Sequence, residues 1–364
     1  MDTDTIRRSN KIYHKGRLVK YPFENDLASL DARDRDYCLS TFLDNPHENI
    51  EADTMLKFFM KTFGEGITKL YLEPYNRKLW KFDPDLMDTQ IVDRIPKPPK
   101  EDIVRSAKGI PTEGYPHQLH FQYPKYGGIQ QLVMGYKKLI SDKSRVINSV
   151  NIKSINKQGS AWHIETDGGN FSTKRLINCM PLHELFRYIT PTEDIRHLLN
   201  ELKYNSIYIA VIQAKKDNMG QNFALYFADS NIIFHRLSKL NFLGESYCLA
   251  SGGSTIMAEI TYRSGVYPAG LSEEELMSTL LGDLEVLKIV NRCDIIDTSL
   301  RKFEYAYVVY DLMHRKNTDS VLRYIAGMGI DCCGRFAEFE YINMDKTVEH
   351  SMHLAKKINE ASHE

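Results

Sequence analysis

No apolar run in the 364-residue chain approaches the roughly 20 residues that a membrane-spanning helix needs; the longest, Ser206 to Ala214 and Phe223 to Ala228, fall far short. The N-terminal MDTDTIRRSNK has neither an apolar core nor a cleavage pattern, so no secretory signal is read and the cytoplasm is the expected compartment. Charge of one sign is also missing. Lysine plus arginine number 47 against 48 for aspartate plus glutamate, which leaves no basic field to gather phosphate backbones and makes nucleic acid an unexpected partner. The six cysteines, Cys38, Cys179, Cys248, Cys293, Cys332 and Cys333, lack CxxC spacing. That speaks against a zinc ribbon or a thioredoxin-type pair. The adjacent Cys332 and Cys333 are read as two small buried thiols rather than a strained disulfide. His117 with His120, and His350 with His353, have no third ligand at matching spacing, so no metal site is expected.

What is present is an ordinary globular composition, 42% hydrophobic and 26% charged, enough for one large or two moderate domains. KIYHKGRLVKYPF reads as a hairpin turning at Lys15-Gly16 and stopped by Pro22. Asp53 is the expected N-cap of a helix with apolar face Leu56, Phe59, Met60 and Phe63, closed by Gly64 and Gly66. The prolines between Glu73 and Pro99 favour an irregular lid or wall. From Arg145 to Cys179 the pattern alternates, predicting a three-stranded antiparallel meander. SIYIAVIQA, NFALYFAD, NIIFHRL, SYCLAS and MAEITYR predict one antiparallel sheet. Ser272 and Glu275 form a capping box for a helix through Val286, and a last helix is expected from about Lys346 to Ala361.

The stretch GMGIDCCGRFAEFEYINMDKTVEHSMHLAKKI joins a glycine-punctuated turn to a helix starting near Met344 and Asp345. Unpaired amides at a helix start suit a phosphate or a delocalised anion, and Arg335 could pair with a pyrophosphate oxygen. On residues alone, Gly329 and Gly334 are more readily read as turn formers only.

Gly334-Arg335-Phe336-Ala337 followed by Tyr341 to Asp345 resembles the GR-x-G…Y-x-NMD signature of UDP-galactopyranose mutases and their amine-oxidase and protoporphyrinogen-oxidase relatives; Ala337 stands where that signature has its second glycine. Further segments resemble the same superfamily in order: YPKYGGIQQL its P-x-GG-x-x-x-L element, INSVNIKSI its adenine-side strand, LINCMPLHEL the strand and turn beside the ADP half, and YLEPYNRKLW its Y-x-x-K-x-W element. The resemblance runs from Lys11 to about Ile358. It implies an α/β (α+β) fold of the FAD-linked reductase type: a mixed FAD-binding layer plus an antiparallel substrate sheet with helices.

By resemblance, FAD would meet Gly127, Gly128, Ile152, Pro181, Gly334, Arg335, Asn343, Met344 and Asp345. Substrate would meet Trp80, Arg94, Arg236, Tyr307 and Tyr310. The duller alternative pairs Arg236 with Glu259 as a structural ion pair, and a tryptophan such as Trp80 is more often a core anchor than a ligand platform. No general acid or base is named. The expected divisions are 1–140, a helical lid region with part of the substrate domain; 141–190, the FAD-domain meander and strand; 191–320, the substrate sheet; and 321–364, the C-terminal FAD motif and helix. The opening GRLVKYPF resembles a family strand that follows the G-x-G-x-x-G unit, and no such unit stands before it. The expectation is therefore an FAD-dependent oxidoreductase scaffold that is shortened or completed by a separate N-terminal FAD-binding chain. Two alternatives stay open: a flavin-dependent sugar isomerase acting on a nucleotide sugar, and a non-catalytic binding protein on a degenerate scaffold. Loss of that unit would leave sheet edge and apolar surface exposed.

Overall fold

The computed structural model describes residues 2–95, 98–112, 119–140 and 144–361, with the side chains of Asp93 and Arg94 outside the described set. Helices and sheets are mixed, and the chain divides into two compact units, each built from two stretches: Met1–Ile140 with Asn205–Glu304, and Ser141–Tyr204 with Tyr305–Glu364.

The first stretch opens with β1 (Thr3–Arg7), β2 (Asn10–His14) and β3 (Arg17–Lys20). Lys15 and Gly16 take φ values of 48 and 82, the two left-handed positions that a tight hairpin turn requires. Helix α1 (Ala32–Leu43) is capped by Asp31, whose carboxylate accepts the Asp34 N–H. Helix α2 (Met55–Ile67) is capped by Thr54, which accepts the Lys57 N–H, and not by the expected Asp53. Asp53 instead forms an i,i+4 ion pair with Lys57. Gly64 does not end α2 but kinks it at φ 74, and helical backbone continues through a π turn, Thr68–Leu72, into α3 (Glu73–Trp80). Where α2 passes α1, a Cβ on Gly66 would lie 2.6 Å from Cys38 Cα, so only glycine fits. The region read as an irregular lid is helical at its start because Pro74 sits in the first turn of α3, where its missing N–H costs nothing. Beyond it lie 3-10 turns at Pro84–Leu86 and Thr89–Arg94, then α4 (Lys100–Ala107), β4 (His120–Pro124) and α5 (Gln130–Lys137).

The chain next contributes β5 (Ile152–Gln158), β6 (Ala161–Thr166) and β7 (Gly169–Thr173), the expected antiparallel meander. It then supplies β8 (Leu176–Asn178), α6 (Leu182–Leu185) and α7 (Glu193–Glu201). Returning to the first unit, β9 (Tyr204–Ala214), β10 (Ala224–Phe227), β11 (Arg236–Lys239) and β12 (Ser254–Tyr262) precede α8 (Glu273–Val286). The last stretch is β13 (Ile295–Val308), α9 (His314–Met328), β14 (Ile330–Cys332) and α10 (Met344–Glu360). The expected capping box is present, Ser272 and Glu275 each satisfying the other's backbone N–H. SYCLAS is not a strand: Glu245–Tyr247 is a 3-10 turn followed by irregular backbone.

In the first unit, β9 to β12 join the hairpin in one seven-stranded sheet of order β13-β9-β12-β11-β10-β2-β3. All pairings between β9 and β3 are antiparallel except β10 with β2, which is parallel. One sheet face carries Ala210, Ile212, Leu225, Phe227, Leu237, Ile256 and Ala258, packed with Leu276, Leu280 and Leu284 of α8. In the second unit β8 pairs in parallel with β14. Cys332 and Cys333, like the other four cysteines, carry free thiols.

Candidate functional sites

On the sheet face away from α8, strand register aligns Tyr226, Arg236, Glu259 and Ile209 in one cross-strand row. Arg236 Nε donates to Glu259 Oε1 at 2.6 Å, and a second guanidinium nitrogen reaches the same oxygen. Burial pushes the Glu259 carboxyl up, but the Arg236 charge and the neighbouring His235 outweigh it and hold the group at about 2. His235, itself buried, has its pKa lowered by loss of water, against the opposing pull of Glu259. Arg236, expected to receive an anionic ligand, is thus committed to a buried carboxylate.

Above this row lies an aromatic stack. Tyr21 stacks on Tyr226 at 5.1 Å, Tyr71 lies between Phe23 at 5.1 Å and Tyr75 at 5.3 Å, and Tyr75 meets Tyr226 edge-on at 5.9 Å. Tyr71 comes from the π turn and Tyr75 from α3, four residues apart, so both point to one side. Glu24, 4% exposed, lies among them, and burial lifts its carboxyl up to about 7. Buried side-chain oxygens of Asn25 and Tyr71 make no hydrogen bond among the described residues. Packed rings, a carboxylic acid able to keep its proton near neutrality and two side-chain oxygens without a hydrogen-bond partner thus come together on this face of the sheet. Sequence reasoning missed Glu24, Tyr21, Tyr71 and Tyr226, since an isolated polar residue in a strand or turn carries no periodic signal.

Trp80 faces the interior: its indole N–H donates to Asn76 Oδ1 at 3.0 Å and its carbonyl accepts from Asn205 Nδ2. It is a packing anchor. The Arg94 side chain and His117 lie outside the described residues. Gly127 and Gly128 take φ values of 70 and 61 ahead of α5. A Cβ on Gly128 would lie 2.8 Å from the Tyr247 hydroxyl, which is hydrogen-bonded to Tyr123. That close approach is to the protein's own tyrosine.

In the second unit, Ile152 opens the meander at a register shift. Pro181 precedes α6, and the following Leu182 N–H donates to the Phe336 carbonyl, which brings the Pro181 turn beside Gly334–Ala337. Arg335 donates to the Ala306 carbonyl at 2.7 Å and lies 4.3 Å over the Tyr341 ring, with Tyr307 next to it. Tyr310 is buried, its hydroxyl accepting the Tyr341 N–H. Asn343, Met344 and Asp345 form the exposed start of α10, which no side chain caps.

A dinucleotide fits this arrangement only in part. The bare α10 start is free to meet an anion, and Gly334, at φ 110, has open space where a Cβ would stand. Yet the Gly334 N–H is taken by Glu338 Oε2 at 2.8 Å, and His350 bonds the same carboxylate. An internal anion thus occupies the loop donor that a pyrophosphate would use. Among the described residues there is no cluster of metal-ligating side chains and no helix long and apolar enough to cross a membrane.

No family model matches the sequence. Solved structures do. A reduced UDP-galactopyranose mutase is similar with a TM-score of 0.82 at 20% identity, over 93% of this chain and 74% of that one. A candidate protoporphyrinogen oxidase from Exiguobacterium sp. 255-15 is similar with a TM-score of 0.73 at 12% identity, over 98% of this chain and 81% of that one. Cyclohexylamine oxidase from Brevibacterium oxydans IH-35A gives 0.62 at 13% identity, over 100% and 83% respectively. At such identities the likeness is one of architecture, and the chain has the fold of these mutase and oxidase structures.

Proposed function

We propose that this chain is the substrate-side and C-terminal part of an FAD-dependent oxidoreductase or mutase, completed by a β-α-β dinucleotide-binding unit supplied upstream or by a separate chain. The observation that carries this reading is the mutase likeness, which spans nearly all of this chain but leaves part of the mutase outside the match. Two helices add support. On α5 and the turn after it, Ile129, Val133, Tyr136 and Ile140 form an outward apolar stripe, with Val133 64% exposed. On α10, Met344 and Met352 are exposed on the side that Val348 shares, and no α10 side chain is buried. Apolar faces of this kind call for a cover. Bound flavin would supply the electron chemistry; the residues of this chain would hold and orient the substrate at the tyrosine stack.

A nucleotide sugar is the favoured substrate class, because the mutase gives the highest TM-score of the three structures described. The second reading is a non-catalytic binding protein, and the Glu338 carboxylate at Gly334 favours it.

The test is the visible absorption spectrum after incubation with FAD and removal of free cofactor. It compares the chain alone with the chain extended by any upstream in-frame or neighbouring G-x-G-x-x-G segment. The chain alone should emerge colourless and the completed protein should retain a shifted flavin band; a colourless completed protein would sink the flavoenzyme reading.

A further inference from the structure

Beside α3, the first unit holds a cleft of about 860 Å³, within the size range of small-molecule sites. Its walls are the Lys15-Gly16 turn, α3 with the helical turn before it, the loop after β10, and the segment at Val266 and Tyr267. We propose that this cleft binds the anionic head of a small organic molecule, held by Lys78 and Lys81.

Charge pairing singles out these two lysines. Lys69 and Arg77 share Glu73, Arg77 also reaches Asp83, and Lys15 pairs with Asp34. Lys78 and Lys81 have no carboxylate partner among the described residues. Lys78, 8% exposed, donates to the Asp229 carbonyl at 2.7 Å. An ammonium carries three donors, and this one has two left, beside the cleft. Lys81 lines the same cleft with no hydrogen bond among the described residues. It follows α3 in a left-handed conformation, φ 47, so the chain turns there instead of running the side chain on along the helix.

Electrostatics agree with this geometry. Burial, and then the Lys81 charge, lower the Lys78 amine to about 7 against the opposing pull of Asp229 and Asp283. Both acids are engaged locally, Asp229 with the Asn231 N–H and Asp283 with the Ile233 N–H. Burial also lowers Lys81, to about 8. Two ammonium groups left short of water and counter-ion are stabilised by an oxyanion that accepts from both. The remaining wall sets the rest of the ligand: Ile232 and Ile233 are apolar, and the Tyr267 ring is 54% exposed. The ligand is therefore a compact organic phosphate or carboxylate with an apolar or flat body.

Pyridoxal phosphate is a suitable probe, because its aldehyde condenses with a neutral lysine amine, releasing water, and borohydride then reduces the imine to a stable secondary amine. Limiting probe on the full chain, followed by peptide mapping, should place the first equivalent on Lys78 or Lys81. Inorganic phosphate in excess should protect these positions if the head is a phosphate, and benzoate should do so if it is a carboxylate. The Lys81→Met variant, altered at a partly exposed position, should weaken probe binding about tenfold, the equivalent of one charge-assisted hydrogen bond, with its circular dichroism unchanged. Label spread over exposed lysines, with no protection by either anion, would overturn the proposal. The readout is the labelled lysine itself, so it is scored whether or not the chain retains flavin.

Discussion

Glu338 accepts the N–H of Gly334, four residues before it, and holds His350 through the same carboxylate, whose two oxygens lie 3.0 and 3.1 Å from the ring Nδ1. The loop expected to meet a pyrophosphate therefore closes on itself. Glu338→Ala leaves a loop amide and an imidazole without their acceptor and should cost about 1–2 kcal/mol in urea unfolding. Glu338→Gln keeps an acceptor and should cost less; equal losses would make charge, not hydrogen bonding, the operative property.

Arg236 and Glu259 make a separate prediction possible. Removing Arg236 strands a buried carboxylate, so Arg236→Met should destabilise the fold by about 3 kcal/mol. Glu259→Gln added to it should recover much of that loss. A double-mutant cycle by chemical denaturation measures the coupling, and strictly additive effects would contradict the ion-pair assignment.

For Glu24 the pH dependence has a definite sign. Its folded pKa, about 7, lies above the ordinary 4.5, so the folded state holds the proton more tightly than the unfolded chain. The stabilisation is complete below pH 4.5 and is lost as pH rises through 7. Glu24→Gln should remove that dependence and be more stable than the parent above pH 7 by up to about 3 kcal/mol. Parallel stability curves for the two proteins between pH 4.5 and 8 would show that Glu24 is ionised at little cost.

Along α5, Val133→Glu combined with Tyr136→Lys places opposite charges on the outward apolar stripe. Binding of a hydrophobic dye should fall and solubility should rise, with little change in unfolding midpoint because neither side chain is buried. A drop in midpoint of several degrees would mean that the stripe already packs inside the protein.

Elements set by neighbours in sequence were legible. Ser272 and Glu275 satisfy each other across three residues, Lys15-Gly16 makes its turn unaided, and Met344 opens a helix at the end of a recognisable motif. Failures arose where a local signal has two meanings. Pro74 looked like a breaker but occupies a first turn, where proline is at home; Asp53 looked like a cap, yet its neighbour Thr54 took that place. SYCLAS alternates like a strand, but the Thr255 hydroxyl bonds the Tyr247 carbonyl and Asn241 takes the Thr255 N–H, folding that stretch back instead. The tyrosine stack was invisible because Tyr21, Tyr71 and Tyr226 are far apart in the chain and meet only when β2 joins β10.

That parallel pairing, Asn10–Tyr13 with Ala224–Phe227, governs the order of events at the ribosome. The hairpin is made well before β10, the strand that joins it to the sheet, which is not synthesised until the meander has been made in between. Closing so long a span is entropically costly and comes late. A nascent or prematurely ended chain would therefore present β2 as a bare edge, open to pairing with a neighbouring chain. Each unit also draws on two separated stretches, so a fragment ending at Ile140 holds only one of the two stretches of the first unit. Fragments for recombination or crystallisation would need 1–140 and 205–304 brought together.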